Sequence, residues 1–312
     1  MTFPVTRADI EAAAGRIAPH ARVTPLLDAG ANISFKLEFL QHAGSFKTRG
    51  AFNKLLSRPL PAVGVTAASG GNHGAAVAYA AQALGHKARI FVPEISSPAK
   101  QAKIRSYGAE VVVEGAAYQD ARLLCEAYAK DSGALNVEAF EAVETIAGQG
   151  AVAREWEQQL AAAGHAPLDT ILIAVGGGGL IAGVAAWFAG RAKIVGVEPE
   201  GSRALHAAFE AGTPVDVPVK SVAADSLGAR RAGTLALEIA RAAVDHVALV
   251  SDAAIVAAQK ALWNDGRMAL EPGGAAAYAA LLSGTYKPAK SERVGVLLCG
   301  ANVDLAALAG IV

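Results

Sequence analysis

Cysteine is nearly missing from this chain: Cys125 and Cys299 are the only two in 312 residues. That excludes a disulfide framework and leads us to expect a reducing compartment, the cytoplasm. An excess of charge of either sign is missing too. Lys+Arg and Asp+Glu both number 28, so the basic footprint of a nucleic-acid binder is absent and no such partner is expected. One stretch without a charged residue, 170–190, is long enough to span a bilayer, and four consecutive glycines interrupt it. A buried strand, a glycine turn and a buried helix explain it better than a membrane span. The first residues, MTFPVTRADIEAAAGRI, carry acids early and hold no apolar signal core. Thr6 and Asp9 read instead as a capping box opening a helix.

What the chain has is apolar surface to bury. Hydrophobic residues make up 53% of it, and at ~150 residues per domain the length suggests about two domains. Short apolar runs alternate with helical stretches, the pattern of a doubly wound parallel α/β fold. Strands are expected over 63–67, 88–92 and 110–114. Helices are expected over 73–84, from Ser97 with Pro98 at its first turn, and over 118–130. A second unit starts near 144, with strands over 170–175, 193–198 and 293–299 and helices over 180–189, 252–263 and 273–282. A strand over 33–37 cannot fold alone. Residues 1–60 are therefore expected to join 144–312 as the large domain, with 61–143 inserted as the small one.

Five motifs carry candidate chemistry. In Gly44-Ser45-Phe46-Lys47-Thr48-Arg49-Gly50-Ala51, Ser45 is expected to cap a helix over 46–56. Lys47 then falls in the first turn, where the backbone dipole disfavours a cation. Broken local rules are expected at functional sites. The dipole and burial together would favour the neutral amine, the form that makes a Schiff base. The plain alternative is a solvated surface lysine. In Ser69-Gly70-Gly71-Asn72-His73-Gly74, backbone amides and a hydroxyl converge at a strand-to-helix turn, as an anion site requires. Gly176-Gly177-Gly178-Gly179-Leu180 follows an apolar strand and can cradle a phosphate. Taken alone, that loop fits a nicotinamide dehydrogenase better: Gly177, Gly179 and Ala182 match G-x-G-x-x-A, and Glu198 lies where a ribose-binding acid would sit. Glu271-Pro272-Gly273-Gly274-Ala275 and Leu298-Cys299-Gly300-Ala301-Asn302 lie at element boundaries that can face a cleft.

In combination and in this order, SFKTRGA, SGGNHG and GGGGL resemble the serine/threonine dehydratase and serine racemase family of pyridoxal-phosphate enzymes. The resemblance runs from Thr24-Pro25-Leu26 to Asn302. It implies fold type II, two α/β domains with pyridoxal 5'-phosphate between them, and a homodimer acting on a small amino acid. The implied reaction eliminates water from L-threonine or L-serine to give a 2-oxo acid and ammonia. A racemase, a β-replacement synthase and a dehydratase of 3-hydroxyaspartate or phenylserine are the alternatives.

The resemblance also assigns roles. Lys47 matches the lysine that carries the cofactor and moves the α-proton. Phe46 matches a residue near the cofactor ring, and Asn72 the asparagine bonded to its phenol oxygen. Gly176, Gly177, Gly178, Gly179 and Leu180 match the phosphate loop. Cys299 matches the side chain facing the pyridine nitrogen, and Glu271 is placed among the cofactor contacts. Ser69, Gly70, Asn72 and His73 match the substrate loop. The mammalian-type racemases have a serine where this chain has Gly70. Members with a divalent-cation site use an acid where this chain has Ala204, although Glu198 matches another ligand, so no metal is expected. The role of Ser226-Leu227-Gly228-Ala229-Arg230-Arg231 stays open. With the chain ending ten residues after Asn302, no regulatory domain and no isoleucine feedback are expected.

Overall fold

The computed structural model describes residues 3–311. Ten strands form two sheets. The strands are β1 (Leu26–Asp28), β2 (Ile33–Lys36), β3 (Val65–Ala68), β4 (Ala88–Val92), β5 (Glu110–Val113), β6 (Leu135–Asn136), β7 (Thr170–Ala174), β8 (Lys193–Pro199), β9 (His246–Val250) and β10 (Val294–Leu297). The helices are α1 (Arg7–Ile17), α2 (Lys47–Leu56), α3 (Asn72–Ala83), α4 (Pro98–Ser106), α5 (Tyr118–Ser132), α6 (Val143–Ala162), α7 (Gly179–Phe188), α8 (Ala204–Ala211), α9 (Ala224–Leu227), α10 (Thr234–Ala243), α11 (Asp252–Gly266), α12 (Pro272–Leu282) and α13 (Leu305–Ala309).

The larger sheet has the order β1-β2-β10-β7-β8-β9, and the smaller one β5-β4-β3-β6. All pairings are parallel except β1 with β2. The smaller sheet is thus inserted between β2 and β7 of the larger. Strand β1 escaped the sequence reading because three residues carry no periodicity.

The charge-free stretch is accounted for by burial. Every residue of β7 and of α7 is buried, because α7 lies between the larger sheet and α6. No helix among the described residues is long and apolar enough to cross a membrane. Small residues permit the close crossing of α6 and α7. A Cβ on Gly183 would lie 2.5 Å from the Ile146 carbonyl oxygen and 2.6 Å from the Gly150 nitrogen. Parallel pairing sends the C-terminal ends of β3, β7 and β10 the same way within their sheets, and all three motif loops leave from such ends. That is where open α/β sheets bind ligands.

The Thr6–Asp9 capping box is present, and Ser97 caps α4 with Pro98 at its start. Ser45 is a correction. It does not cap α2, which begins at Lys47. Ser45 is extended (φ −161°, ψ 161°) and bridges antiparallel to Gly300. Long-range pairing of 44–46 with 299–301 overrides the local capping preference.

Candidate active site

The start of α2 is held against the end of β10 by backbone alone. Phe46 N–H donates to Cys299 O at 3.1 Å, and Ala301 N–H to Gly44 O at 2.9 Å. Behind α2 lies a buried, charge-balanced network that sequence reasoning missed. Arg49 pairs with Glu38 at 2.5 Å and Glu155 at 3.0 Å, and Lys36 pairs with Glu155 at 2.6 Å. Two cations meet two anions, so no net charge is left buried. Losing one partner would strand the rest, at a cost of about 3–5 kcal/mol. This network fixes the helix that presents Lys47.

Lys47 projects into a narrow cleft whose walls include Phe46, Cys299, Leu180 and the glycines 176–179. Its surface retains some solvent contact, but its amine is enclosed by protein and donates to Ala139 O at 2.9 Å. Burial lowers its pKa to about 8, against a smaller upward pull from Cys299. The charge sits on Nζ, so the enclosure of the amine governs its ionisation.

The glycine turn heads α7. Gly178 has φ +94° and a Cβ there would lie 2.7 Å from that of Ala236. A Cβ on Gly177 would fall 2.3 Å from the ring of Phe140, and one on Gly179 would lie 2.9 Å from the Phe140 Cβ. Backbone amides at a helix start, on residues with no side chain of their own, suit a phosphate. Phe140 lies across this turn and forms the wall between the cleft and a cavity of about 330 Å³. Ser226 and Leu227 complete the cleft. The unassigned 226–231 segment therefore reaches the site through its first two residues. Arg231 pairs with Asp216 at the surface and borders the larger cavity. Arg230 accepts Val217 N–H through its carbonyl.

Asn72 and Glu271 meet beside the cleft. Asn72 Nδ2 donates to Glu271 Oε1, and Asn72 Oδ1 accepts from Asn302 Nδ2. Burial raises the Glu271 carboxyl to about 7, with the Asn72 N–H pulling the other way. A Cβ on Gly300 would lie 2.1 Å from Glu271 Oε1, so that approach requires glycine.

The rest of the SGGNHG loop follows β3. The His73 side chain is buried, and its Nε2 donates to Val137 O at 2.7 Å. Burial and the Lys47 charge lower its pKa to about 3. Its side chain is neutral and tethered. Ser69 Oγ accepts Gly71 N–H within its own turn. A Cβ on Gly70 would meet Ser96 Oγ at 2.1 Å. Glu198 is buried and accepts the N–H groups of Leu205 and His206 at 2.9 and 2.8 Å. Its carboxylate caps α8.

A family model described as "Pyridoxal-phosphate dependent enzyme" matches residues 17–300. The chain belongs to this family. It is 39% identical over 319 residues to a phenylserine dehydratase of Ralstonia pickettii, covering 97% of this chain and 96% of that one. Among solved structures it resembles a threonine deaminase from T.th., with TM-score 0.89, 36% identity and coverage of 96% and 99%. Maize serine racemase gives TM-score 0.91, 31% identity and coverage of 99% and 97%. The family's fold is type II, and its cofactor is pyridoxal phosphate. The nicotinamide reading of the glycine loop is thereby set aside. The residues present fit the cofactor: a glycine cradle that a Cβ would fill, a buried amine of lowered pKa, and a neutral sulfur.

The Lys47 pKa gives a kinetic expectation. Only the neutral amine adds to the cofactor aldehyde. Below pH 8 the amine is mostly protonated, so the rate of cofactor attachment should rise about tenfold per pH unit up to about 8 and then level off. An ordinary lysine would keep gaining to about 10.4. Stopped-flow growth of the visible band on adding pyridoxal phosphate measures this. A rate still climbing tenfold per unit between pH 8.5 and 10 would contradict the burial argument.

Proposed function

We propose that this chain is a pyridoxal-phosphate dehydratase that eliminates water from a small L-β-hydroxy amino acid, releasing a 2-oxo acid and ammonia. The observation that carries this is Lys47: a neutral-prone amine at the mouth of a glycine turn, opposite a sulfur. Bound pyridoxal phosphate supplies the electron sink and the attachment point for the substrate amine. The chain's own residues do the rest. The amides of 176–180 hold the phosphate, and Phe46 packs near the ring. Asn72 donates toward the phenol oxygen, and Ser69 binds the substrate carboxylate. Lys47 takes the proton from the substrate α-carbon. The relatives' printed names support dehydration of threonine or phenylserine. The cavity beyond Phe140, bordered by Ala68, Val137 and Tyr118, supports admitting a larger side chain.

A panel of L-threonine, L-serine, L-phenylserine and 3-hydroxyaspartate, assayed for 2-oxo acid and ammonia, tests the reading. Turnover of at least one is expected, and none with any of the four would refute it. Residues 1–60 with 144–312, and 61–143, are proposed as the large and small domains, and limited proteolysis confined to their junctions is the check. The exposed Val23, Leu27 and Leu40 around edge strand β1 support a homodimer, which sedimentation would disprove if it gave the single-chain mass. Two buried, unpaired cysteines support a cytoplasmic home, which recovery of an oxidised, secreted protein would refute.

Cys299 is proposed to face the pyridine nitrogen as an uncharged partner. Burial and the Glu271 charge hold its thiol above the usual range, and its Sγ lies 3.5 Å from Gly273 O. A neutral thiol cannot stabilise a proton on that nitrogen. Elimination tolerates this because the departing hydroxyl removes the developing charge. Cys299→Ser should keep activity within about tenfold, whereas Cys299→Asp should impair elimination by more than that. Inactivity of a folded, cofactor-loaded Cys299→Ser would argue for a different role.

A further inference from the structure

We propose that Lys103 and Asn302 are positioning residues that fix which end of the Asn72 carboxamide faces the cofactor. The proposal rests on the reading above, in which the cofactor phenol oxygen lies against Asn72. An asparagine side chain offers a donor at one end and an acceptor at the other, and its contacts decide which way round it sits. Here the order is dictated from one end of a chain of bonds that spans both sheets' structural units.

Lys103, on α4, has an ammonium that can only donate. It donates to Asn302 Oδ1. The Asn302 amide must then face the other way, and Ala43 O, which can only accept, takes one of its hydrogens at 2.9 Å. The second hydrogen goes to Asn72 Oδ1. Asn72 must therefore turn its nitrogen outward, and one N–H is held by Glu271. The remaining N–H is the one left to meet an oxygen of the cofactor. If either asparagine flipped, two acceptors or two donors would face each other. Gly44 permits the approach, since a Cβ there would lie 2.6 Å from Asn302 Oδ1. Lys103 thus acts on the cofactor through two carboxamides and touches it nowhere.

The readout is cofactor affinity, from equilibrium dialysis of the full-length protein against graded pyridoxal phosphate. Lys103→Met should weaken binding about two- to tenfold, the range for one buried hydrogen bond. Lys103→Arg keeps a donor-only cation and should restore affinity to within about twofold. Asn302→Asp is the same size but cannot donate to Asn72 or Ala43, and it should lose more than Lys103→Met. A double-mutant cycle then separates positioning from general structural damage. In an Asn72→Ala background, Lys103→Met should cost nothing further. Unchanged affinity in Lys103→Met, or a full loss persisting in that background, would overturn the proposal while leaving the cofactor placement intact. Unchanged affinity in Asn72→Ala would instead remove the placement on which it depends, and the proposal with it.

Discussion

Lys47→Ala is expected to abolish turnover, by at least ~1,000-fold, and to erase the visible band of lysine-bound cofactor. On the proposed reading two functions end together, attachment of the cofactor and movement of the α-proton; a single general base is worth ~100- to 10,000-fold. The fold should survive. Lys47 donates one hydrogen bond, to Ala139 O, and it forms no ion pair among the described residues. Removing a buried cation without a counter-charge costs little and can stabilise, so the melting temperature should hold or rise. Lys47→Arg should be equally inactive, because a guanidinium stays protonated. Activity of Lys47→Ala within tenfold of the parent would refute the assignment.

The second large effect concerns what the enzyme does not do. Formation of D-serine from L-serine should run at least ~100-fold slower than pyruvate release. Racemisation removes the α-proton on one face and returns it on the other, and Lys47 serves one face only. In the racemases the chain resembles, a serine hydroxyl at the position of Gly70 serves the second. Losing such a group typically costs ~100- to 10,000-fold. The structure changes the way to restore it. Gly70 does not lie in the left-handed region, so its backbone accepts a side chain. The obstacle is Ser96, whose Oγ lies 2.1 Å from where a Cβ would stand. The Ser96 Cβ, at 2.8 Å, is also too close, so Gly70→Ser alone should disturb the turn without raising racemisation, whereas Gly70→Ser with Ser96→Gly should raise D-serine output. Chiral chromatography of a serine incubation decides it. D-serine appearing as fast as pyruvate from the parent enzyme would show that Ser96, or another group, already serves the second face.

Much of this site was legible in the sequence because its signals are local. A lysine in a helix's first turn breaks a dipole rule, and four glycines after an apolar strand have few other uses. The strand and helix alternation marked the central strands of both sheets for the same reason, and missed β1, β6 and β9 at their edges. What stayed hidden depends on partners distant in the chain. Phe140 is a lone aromatic among glutamates, and nothing near it shows that it packs on Gly177 and Gly179. Nothing in the sequence shows that the His73 ring reaches Val137 O. Ser45 has a capping residue's chemistry, yet pairing with Gly300 pulls it into extended backbone and leaves its Oγ buried without a partner. The Lys36, Glu38, Arg49 and Glu155 network needs three distant segments at once. Asn302 closes a motif marked as facing a cleft, but Lys103 gave no sign, since a lysine on a polar helix reads as solvated.

The central claim is that Lys47, and no other lysine, carries the cofactor in a dehydratase. Borohydride reduction of the purified, cofactor-loaded protein followed by peptide mapping tests it most directly. The account predicts one modified peptide, containing Ser45-Phe46-Lys47, with loss of 2-oxo acid production in proportion to its labelling. A pyridoxyl group on any other lysine, or activity that survives complete labelling of Lys47, would contradict it.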